Sequence, residues 1–164
     1  MNRITRISFF AVFIYLICCI LLAPNAFAYV DPVSTKPVAS RVLRGFDPPA
    51  QRWEAGHRGV DLANTVGDNV YAAGAGTVAF TGIVAGKPVV SIDHADGIRT
   101  TYEPVFSQVN KGEKIEEGAL IGTLAPANNG KPGLHWGART GKDDYLNPLS
   151  LLESPTIRLK PLAG

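Results

Sequence analysis

Cysteine is nearly missing from this chain of 164 residues: there are two, Cys18 and Cys19, side by side. They sit inside an apolar run, Phe9 to Leu22, that follows Arg3 and Arg6 and precedes Ala26-Phe27-Ala28. A positive start, a short apolar stretch and a small-x-small end form the layout of a secretory signal peptide, and the run is short for a stable membrane span. Cleavage after Ala28 is the expectation, with an uncleaved membrane anchor as the alternative. The small residue that a lipoprotein signal places just before its modified cysteine is absent. Cleavage removes both cysteines, which excludes disulfides and thiolate metal ligands from the mature chain. The expected location is secreted or cell-envelope, with no stable membrane span after signal cleavage.

A charge surplus is lacking as well. Lys and Arg number 16 against 14 Asp and Glu, and residues 1–28 hold Arg3 and Arg6 but no acid, so the mature chain carries 14 of each sign. The balance excludes nucleic-acid binding, which needs an excess of positive charge. No amphipathic stretch of helical length is present.

Glycine and β-formers are present instead. Removing 28 of the 164 residues leaves 136, enough for one domain with its own core. Proline and serine in Tyr29 to Leu43 predict an extended linker, so the expected divisions are 1–28 signal peptide, 29–44 linker, 45–152 domain and 153–164 tail. Strands are predicted over Gly76–Thr81, Pro88–Asp93, Ile98–Glu103, Ala119–Leu124 and Leu134–Arg139, with a tight turn at Ala95-Asp96-Gly97. The expected fold class is all-β: a compact antiparallel β-sheet sandwich or open barrel, single domain.

Two segments carry the chemistry: Gly56-His57-Arg58-Gly59-Val60-Asp61 and Gly133-Leu134-His135-Trp136-Gly137. Two imidazoles and a carboxylate hold a catalytic zinc with a fourth position left for water. Gly56 and Gly59 argue against a helix at His57, so a loop leading into a strand is predicted there. Each residue alone has a bland explanation, a core histidine for His135 and a turn residue or cap for Asp61. Those explanations do not account for the three together.

From Gly45 to Leu152 the order of motifs resembles the lysostaphin-type (LytM-domain) zinc metallopeptidases, which cut peptides of bacterial peptidoglycan. His57-x-Gly59-x-Asp61, Gly67-x-x-Val70-x-Ala72, Gly76-x-Val78, Val90-x-Ile92-x-His94, Gly97, Tyr102, Gly112, Gly118, Ile121-Gly122, Leu134-His135-Trp136 and Asn147-Pro148 carry the likeness. The resemblance implies a compact antiparallel β domain, Zn2+ as cofactor, His57, Asp61 and His135 as its ligands, and peptidoglycan peptides as substrate. In the family the metal polarises the scissile carbonyl and activates water, and two further histidines assist. Here those two positions are Pro104 and Gly133, and neither side chain can move a proton. The catalytic residues are therefore open. Glu103 is a candidate base, but it neighbours position 104, and strand alternation would require a bulge to turn it to the site. The alternative function is a catalytically weak or inactive zinc-binding module that binds cell wall or regulates a separate wall hydrolase. His94 is expected to be structural. Segments 70–78 and 111–122 also look like the half-repeats of biotinyl or lipoyl carrier domains, but Lys87 lacks the methionine-flanked setting of a modified lysine.

Overall fold

The computed structural model describes residues 29–51, 53–127 and 132–153. The expected signal peptide (1–28) and most of the expected tail (154–164) lie outside the described residues. Eleven strands follow one another: β1 (Val42–Arg44), β2 (Gly59–Leu62), β3 (Asn69–Tyr71), β4 (Gly76–Val84), β5 (Lys87–Asp93), β6 (Arg99–Glu103), β7 (Val105–Ser107), β8 (Lys114–Ile115), β9 (Leu120–Leu124), β10 (Leu134–Arg139) and β11 (Tyr145–Leu146). A single 3-10 turn, Pro148–Leu151, follows, with the Asn147 side chain accepting from the Leu149 N–H. No α-helix occurs among the described residues.

The strands form two antiparallel sheets. The larger runs β1-β2-β10-β6-β5-β4-β8, with β11 added to β10, and is open at both ends; the smaller runs β3-β9-β7. The all-β antiparallel expectation holds. One face of the large sheet is apolar because its strands alternate. Val60 and Leu62 on β2, Leu134 and Trp136 on β10, Tyr102 on β6 and Val90 and Ile92 on β5 are fully buried. Val70, Ile121 and Val105 from the smaller sheet join the same core. The opposite face of the large sheet is therefore free to carry polar chemistry.

The glycine turns act as the sequence suggests. Between β5 and β6 the His94 N–H donates to the Ile98 carbonyl, and Gly97 takes a φ of +85° that a side chain would disfavour.

The stretch 29–44 is not a free linker, which corrects the sequence expectation. Tyr29, Val30 and Asp31 are buried. The Val30 N–H donates to the Ala73 carbonyl, the Tyr29 hydroxyl donates to Asp96, and β1 pairs with β2. Proline and serine read the same in a solvated linker and in a packed strap. What decides is the pair of apolar residues at its start and the buried Asp31 carboxylate, which accepts from the N–H groups of Val33, Ser34 and Ser40.

Candidate metal centre

Asp61 is the third residue of a four-residue strand whose flanking residues, Val60 and Leu62, are fully buried. Alternation turns its carboxylate to the opposite, outer face. His135 sits directly across from it on β10, between buried Leu134 and Trp136. Paired residues of antiparallel strands share a face, so 74 residues of sequence separation close to one cross-strand step, with His135 Nδ1 2.9 Å from Asp61 Oδ1.

His57 arrives from the loop before β2, as predicted. Its backbone exchanges two hydrogen bonds with Asp47, and its Nδ1 donates to the Gly45 carbonyl at 2.6 Å. In the neutral ring this leaves Nε2 as an acceptor. That atom lies 2.9 Å from Asp61 Oδ1 and 3.0 Å from His135 Nδ1. With a neutral His57 ring, Nε2 and Asp61 Oδ1 are two acceptors at hydrogen-bond distance. A cation satisfies that convergence, and two imidazoles with one carboxylate form a donor set suited to zinc. The Nδ1–H donated to a backbone carbonyl is the partner that orients a metal-bound histidine from behind.

The supports are specific. The His135 ring lies over Gly59, where an added Cβ would come within 2.7 Å of Cε1 and 2.8 Å of Nε2. Glycine in His57-x-Gly59-x-Asp61 is therefore a packing requirement of the second histidine and of the Trp136 carbonyl, which would lie 2.5 Å from that Cβ. The His57 side chain is 6% exposed, Asp61 15% and His135 25%, so the group opens on one side only. Burial pushes the Asp61 carboxyl up, but hydrogen bonding to His135 and the charges of His57 and His135 outweigh it and hold it below the usual carboxylate range. It is ionised at neutral pH, as a ligand must be.

The three residues sit in a cleft of about 380 Å³ that Arg44, Lys87, Glu103, Pro104 and Gly133 also line. Gly133 has a φ of +92°, and a Cβ there would lie 2.3 Å from the Leu62 carbonyl oxygen. A second groove, about 560 Å³, adjoins it across Glu103 and His135 and runs over Thr101, Ser91 and Phe80. Glu103 corrects another expectation. It pairs with His135 in an unbroken β10–β6 register, so it shares the face of His135 and Asp61 with no bulge. It is also salt-bridged to Lys87 at 3.2 Å.

Sequence reasoning missed Lys87, Arg44 and the Gly45 carbonyl; strand pairing alone brings them in. His94 lies outside the cleft and is structural, as expected. Its Nδ1 donates to the Ala75 carbonyl and its Nε2 accepts from the Thr100 hydroxyl, both at 2.8 Å.

Known proteins agree with this architecture. The model of peptidase family M23 matches residues 55–148. An uncharacterized protein of Mycobacterium tuberculosis is 49% identical over 129 residues, covering 75% of this chain and 52% of that protein. The chain thus spans about half the length of the curated relatives it matches. A zinc-containing peptidase from Vibrio cholerae superposes with a TM-score of 0.56 and 26% identity over 68% of this chain and 36% of that one. The catalytic domain of the antimicrobial peptidase lysostaphin from Staphylococcus simulans shares the fold, with a TM-score of 0.59 and 21% identity over 70% of this chain and 93% of that one. With the family model covering more than half of its residues, the chain belongs to peptidase family M23.

Proposed function

We propose that this chain is a secreted, zinc-dependent endopeptidase that hydrolyses peptide bonds of bacterial peptidoglycan. The observation that carries the reading is the convergence of His57 Nε2, Asp61 Oδ1 and His135 Nδ1 at the mouth of an open cleft. His57, Asp61 and His135 would hold the metal. Zinc bound there supplies Lewis-acid polarisation of the scissile carbonyl and makes an attacking water more acidic. The protein's own part is to hold the donors rigidly, through the Gly45 carbonyl and the β2–β10 register, and to present an extended groove beside them. Membership in a peptidase family and a zinc-containing peptidase among the structural neighbours support the reading. The signal-like segment at residues 1–28 supports an envelope location. Among the described residues no helix is long and apolar enough to cross a membrane.

The test measures two quantities on the purified full-length chain: bound zinc, and new amino groups released from purified peptidoglycan. Expected are one zinc per chain and release that falls to the metal-free level in His57→Ala. Absence of stoichiometric zinc overturns the metal assignment. Zinc retained without any release overturns the peptidase assignment and leaves a zinc-binding wall module.

A further inference from the structure

The outer face of the large sheet carries a row of three aligned residues, Asp61, His135 and Glu103, with Arg44 beside it across a register shift. Arg44 on β1 pairs with Asp61 on β2, Asp61 with His135 on β10, and His135 with Glu103 on β6. Directly paired residues present their side chains on the same face about 5 Å apart, so Glu103 stands next to the ligand group. Its flanking residue Tyr102 is fully buried on the other face, opposite Trp136. The Glu103 side chain is 22% exposed and accepts from Lys87 Nζ at 3.2 Å.

Among the described residues that line the cleft, few groups can accept a proton. The guanidinium groups of Arg44 and Arg58 offer donors only, Lys87 donates in the ion pair, and three residues supply the ligand atoms. Pro104 and Gly133 have no titratable side chain. Glu103 is what remains. An ion pair of this exposure contributes little to stability, so holding the fold together is a weak reason for its place.

We propose that Glu103 is a catalytic residue of this cleft: it takes the proton from the water that attacks the scissile amide, with Lys87 as the positioning residue that holds its carboxylate. This rests on the peptidase reading above. As water oxygen bonds to the amide carbon, one O–H bond breaks and its proton goes to Glu103. When the C–N bond breaks, the nitrogen takes that proton from Glu103. The products are a carboxylic acid and an amine, which share out the remaining proton as carboxylate and ammonium.

The test compares full-length wild type, Glu103→Gln, Glu103→Asp, Lys87→Met and Lys87→Arg. Three quantities are read: zinc affinity by chelator competition, binding of acetohydroxamate to the zinc-loaded protein, and hydrolysis of purified peptidoglycan. A hydroxamic acid gives up its proton on binding beside a metal, so it reports the acceptor without turnover. Glu103→Gln is expected to keep its zinc affinity, to bind acetohydroxamate about tenfold or more weakly, and to hydrolyse about 10²–10⁴-fold more slowly. Glu103→Asp recovers part of both losses. Lys87→Met lowers kcat with KM unchanged, and Lys87→Arg restores it. Glu103→Gln that binds acetohydroxamate as wild type does overturns the proposal, and so does one that loses its zinc, which would make Glu103 a support of the metal. If wild type hydrolyses nothing, the peptidase reading and the catalytic role of Glu103 fall together, while acetohydroxamate binding unchanged in Glu103→Gln, with hydrolysis intact in wild type, separates a failure of Glu103 from a failure of that reading.

Discussion

Gly59 decides where the His135 ring lies. A methyl group at that position meets the imidazole at 2.7–2.8 Å and the Trp136 carbonyl at 2.5 Å, closer than van der Waals contact allows. Gly59→Ala is therefore expected to swing His135 off its partners and weaken zinc binding roughly 10–100-fold, the usual cost of disturbing what orients a ligand. Chelator competition on the purified variant measures it, and an unchanged affinity refutes it. At this scale His57, Asp61 and His135 are legible in the sequence because their motifs are short and rich in glycine. The Gly45 carbonyl and Lys87 are not, since a backbone oxygen leaves no letter and a lysine declares its partner only when β5 and β6 pair. Glu103 is visible as a letter but not as a direction. Its face depends on register with β10, which no local pattern states.

At the scale of elements, the β5–β6 turn holds a closed chain of hydrogen bonds. The Ala73 N–H donates to the Tyr102 hydroxyl, Tyr102 to Thr100, Thr100 to His94 Nε2, and His94 Nδ1 to Ala75. Every donor is used only when His94 is neutral. Burial pushes the His94 pKa down, against the raising effect of its hydrogen bond to Ala75 and of Asp96 and Asp93. The unfolded chain therefore binds the proton first as pH falls below about 6.5, and the stability His94 contributes is full above that pH and lost below it. His94→Gln is expected to be less stable than wild type above pH 7, with the gap closing toward pH 5.5. Denaturant melts of the metal-free proteins at both values check this, and a gap that widens on acidification contradicts it. The strands β4, β5, β6, β9 and β10 are readable because five or more residues show their alternation. Strands β1, β3, β7, β8 and β11 have two or three residues each, too few for any period, and exist because a longer strand offers them an edge.

For the whole molecule, the strap at residues 29–40 ties distant parts together. It bonds to Ala73, Tyr71 and Glu153, and Tyr29 reaches Asp96. Asp31 holds the strap's own shape, fully buried, with its two oxygens accepting from three backbone N–H groups and the Ser34 hydroxyl. Asp31→Ala removes the acceptor from those half-buried donors and is expected to cost about 1–3 kcal/mol, read as a lower denaturant midpoint with an unchanged slope. A midpoint within error of wild type would show that the strap carries no stability. Composition concealed this segment, because its prolines and serines suit exposure, while the buried carboxylate that orders it is a single residue among them.

The hydrogen bond from His57 to the Gly45 carbonyl joins that strap to the His57, Asp61 and His135 group, since Gly45 directly follows β1, the strap's continuation onto the sheet. With the proposed zinc bound there, docking of the N-terminal segment and capture of that ion become one linked equilibrium. By reciprocity, whatever lifts residues 29–45 from the sheet lowers affinity for the ion, and the ion, once captured, holds the segment down by the same free energy.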